Sequence, residues 1–215
     1  MGADVGAGIP AGEGGPAEGH ILGGALREAD DEAALRGGAA VLQYRDKSAD
    51  NERRQTEARA LLALCRQFSC PLLINDDVEL AMLIGADGVH LGQTDGSLLA
   101  ARQRLGPAAI VGATCHDSLE FAAAASAHGA DYLAFGAFYA SSTKPLAALA
   151  RPATLSEARQ RFQRPVVAIG GITADNAAPL LAAGAAAVAV IADLWNATDI
   201  EARARQYHSL FARNS

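Results

Sequence analysis

The sequence predicts an α/β protein, more specifically a (β/α)8 TIM barrel, and three observations support this fold class. Apolar runs alternate with helix-like segments along most of the 215 residues, a length that suits one barrel-sized domain. Each run follows a glycine or a proline. Near the end of the chain, the strand-like run VVAI leads into Gly170-Gly171, an arrangement typical of phosphate sites late in such barrels.

Seven strands are predicted to start near residues 40, 71, 87, 109, 131, 165 and 186. Their runs are continuously apolar rather than alternating, as expected for parallel strands that are buried on both faces. Glycines that follow helices are predicted to take the left-handed conformation and turn the chain into the next strand. They are Gly37, Gly85, Gly106, Gly129 and Gly184. Between the runs, segments such as 48–68 show the periodicity of amphipathic helices.

The N-terminus fits this scheme least well. Residues 1–20 contain seven glycines and two prolines, which predicts a flexible tail, and residues 21–215 are predicted to form a single barrel domain. An eighth strand should lie between about residues 10 and 22, where His20-Ile21-Leu22 is the one apolar hint. The first strand is therefore predicted to be degenerate or missing: either a degenerate strand is present, or the barrel is open or completed by another chain.

Composition excludes several classes of protein. The net charge of −6 argues against a nucleic-acid-binding surface, which would be basic. No apolar run is long enough to span a membrane, and no signal peptide is visible, so we expect no membrane partner. Cys65, Cys70 and Cys115 are odd in number and form no C-x-x-C pair, which favours reduced thiols in the cytoplasm. A homo-oligomer is compatible with this composition.

Charged and amide side chains follow the second predicted strand. Gln43, Arg45 and Lys47 are spaced so that they project to the same side of an extended chain. Two cations and an amide on one side suit a phosphate or pyrophosphate. The alternative is a solvated strand end whose charges pair with Asp46.

Carboxylates follow the third and fourth strands. Asp76 and Asp95 come from neighbouring strand ends and could supply the two carboxylates that Mg2+ usually takes from a protein. The alternative for Asp77 is a structural one, the N-cap of the helix that starts at Val78. His90 lies within an apolar pattern, where a buried structural histidine is at least as plausible as a catalytic one.

Hydroxyl groups and a lysine follow the sixth strand, in a segment without clear periodicity. Such a loop can close over a phosphate, although an ordinary polar loop has the same composition. These residues are Ser141, Thr143 and Lys144.

In combination, these motifs resemble the thiamine-phosphate synthase (thiamine-phosphate pyrophosphorylase) family. The resemblance extends from about Ala33 to Phe211 and is carried by QYRDK, INDDVELAMLIGADGVHLGQTD, DYLAFGAFYASSTKP and VVAIGGITADNAAPLLAAGAAAVAVI. It implies a Mg2+-dependent transferase of thiamine biosynthesis. Such an enzyme joins 4-amino-2-methyl-5-hydroxymethylpyrimidine diphosphate to 4-methyl-5-(2-hydroxyethyl)thiazole phosphate, and pyrophosphate leaves first in a dissociative substitution.

The resemblance also implies roles for individual residues. The pyrimidine diphosphate would be held by Gln43, Arg45, Lys47, Asn75 and Thr114. Magnesium would be held by Asp76 and Asp95. The thiazole phosphate would be bound by Ser141, Thr143, Gly171 and the backbone of Ile191-Ala192, and Lys144 would contact the pyrophosphate. Arg45, Lys47 and Lys144 would stabilise the leaving group and are the expected catalytic residues.

Two other functions remain open from the sequence. A family strand of the type LYLITD is not recognisable at the N-terminus, so the chain could be a vestigial, non-catalytic barrel that still binds ligands. The related thiazole tautomerase shares the fold, and His116 could serve as its acid or base. The joint presence of Arg45, Lys47, Asp76 and Asp95 favours the synthase.

Overall fold

The computed structural model describes residues 19–24, 26–140 and 149–212. Eight parallel strands form a closed barrel in the order of the sequence. The strands are β1 (Gly19–Gly24), β2 (Val41–Tyr44), β3 (Leu72–Asn75), β4 (Gly88–Leu91), β5 (Ile110–His116), β6 (Tyr132–Phe135), β7 (Val166–Ile169) and β8 (Ala187–Val190). The predicted (β/α)8 barrel is thus confirmed, with all seven predicted strand starts within about one residue of those observed.

Helices connect the strands and pack around the barrel. They are α1 (Glu28–Arg36), α2 (Asn51–Gln67), α3 (Val78–Ile84), α4 (Leu98–Leu105), α5 (Leu119–Ala127), α6 (Pro152–Phe162), α7 (Ala178–Ala182), α8 (Ala192–Trp195) and α9 (Ile200–Ala212). In the amphipathic segment 48–68, Leu61 and Cys65 are buried as the periodicity predicts. No helix among the described residues combines the length and the apolar character that a bilayer crossing requires.

The first strand is present. Ile21 pairs with Val41 of β2 and with Ala189 of β8, so β1 closes the ring between its neighbours. Of the two alternatives from the sequence, a degenerate strand is the one observed, and an open barrel is wrong. The strand starts at Gly19, two residues inside the segment predicted as a tail, and residues 1–18 lie outside the described part of the chain.

The left-handed turns after the helices are mostly where the sequence predicts them. Gly85 closes α3 with φ 71° and ψ 41°, and its N–H bonds back to the helix. The prediction for Gly37 is wrong, because that residue has φ −76° and continues the right-handed turn, whereas Gly38 takes φ +92°. The residue with positive φ therefore comes one position later than predicted.

Apolar side chains fill two separate cores. The larger lies between the barrel and its helices, and it contains all three cysteines as free, buried thiols. The smaller lies inside the barrel and consists of Val41, Leu73, Tyr132, Ala134, Val167 and Ala187. Several of these residues lie near the starts of their strands, and polar side chains follow the strands at the C-terminal mouth, where barrel enzymes build their sites.

Candidate active site

A cavity of about 490 Å³ opens at the C-terminal ends of β2, β3 and β4. Its volume falls within the range of small-molecule sites. Its lining includes Lys47, Asn75, Asp76 and Asp95, four of the residues that the sequence singles out. Arg54 and Arg104 line it as well, but each is paired with a carboxylate, Asp77 and Glu79 respectively.

Asp76 and Asp95 meet at this rim as predicted. Asp76 follows β3 with a positive φ of 64°, and its N–H donates to the carbonyl oxygen of His90 at 2.9 Å. Asp95 is held from the other side, because its Oδ2 accepts from the N–H of Gly92 at 2.8 Å. The two carboxyl groups are hydrogen-bonded to each other, and Lys47 Nζ forms an ion pair with Asp76.

This arrangement shifts the two carboxyl pKa values in opposite directions. Burial opposes ionisation of Asp76, but hydrogen bonds with Asp95 and Lys47 outweigh it and lower the pKa of Asp76. The hydrogen bond with Asp76, helped by burial, raises the pKa of Asp95. Two neighbouring carboxylates oppose each other's ionisation, and a divalent cation bound between such groups would offset that repulsion.

The donor set therefore fits a magnesium ion that is only partly coordinated by protein. Among the described residues, no group of three or more His, Cys, Asp or Glu side chains is arranged to hold a metal. Mg2+ usually takes one or two carboxylates and completes its shell with water and substrate phosphates. Asp76 and Asp95 supply such a pair beside the cation of Lys47.

The cationic side chains after β2 act on Asp76 rather than on Asp46. Arg45 is exposed, and its positive charge acts on Asp76. The carboxylate of Asp46 forms an ion pair with Arg53 at 2.5 Å and accepts hydrogen bonds from the N–H and the hydroxyl of Ser48. The alternative from the sequence, in which Asp46 pairs with Arg45 or Lys47, is therefore wrong. Asp77 is the N-cap of α3, since its Oδ1 accepts from the N–H of Leu80 at 2.9 Å, as predicted.

A chain of hydrogen bonds crosses the barrel below this rim. The ring nitrogens of His90 lie 2.7 Å from the Tyr132 hydroxyl and 2.8 Å from Thr114 Oγ1, and the same hydroxyl is hydrogen-bonded to Gln43. Tyr132 fits because β5 has Gly112 beside it, where a Cβ would lie 2.1 Å from the tyrosine ring. The chain links Gln43 to Thr114, both predicted to bind the pyrimidine substrate, through two residues that the sequence did not connect.

His90 is a buried structural histidine, one of the two alternatives from the sequence. It is 8% exposed, and burial lowers its pKa to about 4 although the charge of Asp76 acts the other way. The neutral ring donates through one nitrogen and accepts through the other, so both neighbouring hydroxyl groups are satisfied. A buried tyrosine hydroxyl needs a polar partner, but the sequence does not show which residue supplies it, so Tyr132 could not be placed in the site from the sequence.

The His90 environment predicts a specific pH dependence of stability. Because the folded pKa is below the unfolded value of about 6.5, the unfolded chain takes up the proton first and stability falls between about pH 6.5 and 4. We expect His90→Gln to be less stable than the parent at pH 7. The gap should shrink by about 2 kcal/mol at pH 5, since only the parent has this titration.

Urea unfolding of both proteins at pH 7 and pH 5 checks this prediction. The comparison with the variant matters because burial raises the pKa of Asp31 to about 6, and that residue acts on stability in the opposite direction over the same pH range. Parallel stability curves for parent and variant would show that His90 is not held neutral by its surroundings.

The second half of the site lies across the mouth, after β7 and β8. In a ring of eight strands, β7 is opposite β3, so Gly171 faces the carboxylate pair from the far side. Within the described residues, the backbone N–H groups of Gly171, Ile191 and Ala192 donate to no protein acceptor. Backbone N–H donors without a protein acceptor suit an anion.

The structure thus brings Gln43, Lys47, Asn75, Asp76, Asp95 and Thr114 to one half of the mouth and sets Gly171, Ile191 and Ala192 in the other. Ser141, Thr143 and Lys144 lie outside the described residues. Sequence reasoning missed Tyr132, Tyr139 and Asn176, whose contacts organise the two halves.

Known proteins resemble this chain in sequence over most of its length. The profile of the thiamine monophosphate synthase family matches residues 26–194. The thiamine-phosphate synthase of Thiobacillus denitrificans is 55% identical over 184 residues, which cover 86% of this chain and 87% of that protein. The thiamine-phosphate synthase of Methylobacillus flagellatus is 57% identical over 180 residues, which cover 84% of this chain and 86% of that protein.

A solved structure of a related protein has the same fold. Thiamine phosphate pyrophosphorylase from Pyrococcus furiosus superposes with a TM-score of 0.83 at 29% identity, covering 92% of this chain and 96% of that chain. The family profile covers both halves of the mouth, because the residues that it matches begin before β2 and end after β8. This chain therefore belongs to the thiamine monophosphate synthase family.

Proposed function

We propose that this chain is a thiamine-phosphate synthase, a transferase that acts on small phosphorylated substrates. It would join 4-amino-2-methyl-5-hydroxymethylpyrimidine diphosphate to 4-methyl-5-(2-hydroxyethyl)thiazole phosphate and release pyrophosphate. The observation that carries the proposal is the meeting of Lys47, Asp76 and Asp95 at one rim of the mouth. A carboxylate pair with an adjacent cation suits a metal-bound diphosphate, because Mg2+ takes one or two carboxylates together with substrate phosphates.

The diphosphate is proposed to bind at this rim. Lys47 and Arg45 are exposed beside the carboxylates, so both can reach the oxygens of a leaving group. Mg2+ held by Asp76 and Asp95 would supply charge neutralisation for the departing pyrophosphate. The ion pair with Asp76 keeps the Lys47 ammonium at the rim, where it could bind the diphosphate instead.

The pyrimidine ring is proposed to lie above the hydrogen-bonded chain of Gln43, Tyr132, His90 and Thr114. Gln43 and Thr114 are the outer members and can offer donors and acceptors to the ring and its amino group. Asn75, the last residue of β3, is the third polar group on this side. The buried members fix the orientation of the outer ones, which is what positioning of a substrate requires.

The thiazole phosphate is proposed to bind across the mouth at Gly171, Ile191 and Ala192. Their N–H groups without protein acceptors support this assignment, and glycine allows the backbone to approach an anion closely. By resemblance, Ser141 and Thr143 would add contacts to the same phosphate and Lys144 to the pyrophosphate. The acceptor nitrogen would then face the pyrimidine methylene carbon from the side opposite the leaving group.

This layout suits a dissociative substitution. Negative charge grows on the pyrophosphate in the transition state, and the cations of Lys47 and Arg45 lie where that charge develops. No protein nucleophile is needed, and the thiol groups are poor candidates because Cys65, Cys70 and Cys115 are all buried. Burial raises the pKa of Cys115 to about 12, so its thiolate is scarce at neutral pH.

The hypothesis of a vestigial barrel rested on the apparent loss of the first strand. That strand is present in the closed ring, so the hypothesis loses its main support. The tautomerase needs neither a carboxylate pair nor two cations at the diphosphate rim, so these residues favour the synthase. Buried free thiols and the net negative charge of the chain support a cytoplasmic enzyme without nucleic-acid or membrane partners, and this localisation is part of the proposal.

A direct assay tests the function. Purified protein is mixed with both substrates and Mg2+, and thiamine phosphate and pyrophosphate are measured together. We expect both products in equal amounts, no thiamine phosphate when either substrate is left out, and loss of activity with EDTA that added Mg2+ restores. A well-folded protein that forms no thiamine phosphate under these conditions would contradict the proposal.

A further inference from the structure

The loop after β6 and the loop after β7 are joined along their backbones. The N–H of Phe138 donates to Ile169 O at 3.1 Å, and the N–H of Tyr139 donates to Gly170 O at 3.1 Å. Contact between the loops is close enough to require glycine, because a Cβ on Gly171 would lie 2.5 Å from Tyr139 O. The conformation of the Gly170-Gly171 turn therefore depends on the neighbouring loop.

Asn176 holds the same turn from the other side. Its Nδ2 donates to Gly171 O at 3.1 Å, and its Oδ1 accepts from the N–H of Thr173 at 2.8 Å. Its own carbonyl oxygen accepts from the Tyr139 hydroxyl at 2.8 Å. One asparagine thus connects the glycine turn, the residues that follow it and the loop after β6.

These bonds determine where the N–H groups of the turn point. In a trans peptide the C=O and N–H groups point in opposite directions. The carbonyl of Gly170 is held by Tyr139 and that of Gly171 by Asn176, so the N–H groups of Gly171 and Ile172 are turned away from those two partners. The N–H of Gly171 has no acceptor within the described residues, which leaves it available to a ligand.

We infer that Asn176 and Tyr139 are positioning residues for the phosphate of the thiazole substrate. They do not bind the phosphate; they hold the glycine turn in the orientation that presents its N–H groups across the mouth. The inference rests on the proposed function, because it assigns the phosphorylated acceptor to this half of the site. It goes beyond the residues expected to touch substrate and names the contacts that organise them.

Two variants separate this role from a general effect on folding. Asn176→Ala removes both side-chain hydrogen bonds to the turn, and Tyr139→Phe removes only the hydroxyl contact to Asn176. The control is Ser156→Ala, which also deletes a hydroxyl donor to a backbone carbonyl, that of Ala183, on a loop away from the mouth. Thermal unfolding confirms that each variant is folded at the assay temperature.

The readout is the preference for the phosphorylated acceptor over the same thiazole alcohol without phosphate. We expect Asn176→Ala to raise KM for thiazole phosphate about 10-fold, as loss of one to two hydrogen bonds would. Tyr139→Phe should raise it about 3-fold. KM for the pyrimidine diphosphate should change less than about 2-fold, and kcat/KM for the alcohol should stay near the parent value because the alcohol does not use the turn.

Equal losses for the phosphorylated and unphosphorylated acceptors would overturn the inference, as would a rise in KM for both substrates together. The parent protein is assayed first, so failure of the proposed function appears as a parent without synthase activity. In that event the inference is tested by calorimetric titration of thiazole phosphate into parent and Asn176→Ala. Unchanged affinity in the variant would then overturn it.

Discussion

Asp76→Asn will lower kcat/KM at least about 100-fold, because the change removes one negative charge from the carboxylate pair and releases Lys47 from its partner. Asparagine keeps the size of the side chain and tolerates the positive φ of 64° at this position, so the backbone after β3 should be preserved. The half-saturating Mg2+ concentration should rise together with the loss of rate, since the remaining carboxylate of Asp95 binds the cation alone.

Asp77→Asn is a matched control for this experiment. It makes the same chemical change one residue away, on a side chain that caps α3 and pairs with Arg54 at 2.8 Å. Asparagine is also a good N-cap, so stability should change by about 1 kcal/mol or less and activity should stay within about 3-fold of the parent. Steady-state kinetics over a Mg2+ titration distinguish the two variants. An Asp76→Asn enzyme with the parent's rate and magnesium dependence would refute the metal assignment.

Seven strands of this barrel could be predicted because buried parallel strands are continuously apolar and the chain marks their starts with glycine or proline. The strand β1 could not be recognised for a physical reason. Its sequence GHILGG has three glycines in six residues, so local propensity opposes a strand. It becomes a strand through pairing with β2 and β8, and this tertiary effect leaves no periodic pattern in the sequence.

The residues of the candidate site likewise include some that could be predicted from the sequence and some that could not. The positions of Lys47, Asp76 and Asp95 could be predicted, because charged residues that follow buried parallel strands lie at the C-terminal mouth of the barrel. Tyr132 and Asn176 could not be linked to the site in this way. Tyr132 starts a strand within an apolar run, and the role of Asn176 depends on a contact with Tyr139, which is 37 residues earlier in the chain. Side chains that organise a site through other residues carry no spacing signal of their own.

Gly171→Ala will raise KM for thiazole phosphate by about 100-fold, the second large effect that the structure predicts. The new Cβ would lie 2.5 Å from Tyr139 O and 2.8 Å from Ala140 O. Both contacts are with backbone atoms, which cannot rotate away as the end of a side chain could. The two loops must therefore separate, and the N–H of residue 171 moves with them. A positive φ of 66° adds strain for any residue with a Cβ.

Gly85→Ala separates the steric effect from the effect of φ. Gly85 has φ 71°, nearly the same as Gly171, yet nothing lies within 4 Å of the position that its Cβ would occupy. It should lose about 1 kcal/mol of stability from the left-handed conformation alone and keep the parent's KM for both substrates. Gly171→Ala should lose more stability than Gly85→Ala and should also show the KM effect. If the two variants bind thiazole phosphate equally well, then the turn after β7 does not bind the acceptor, and the phosphate must be held elsewhere in the mouth.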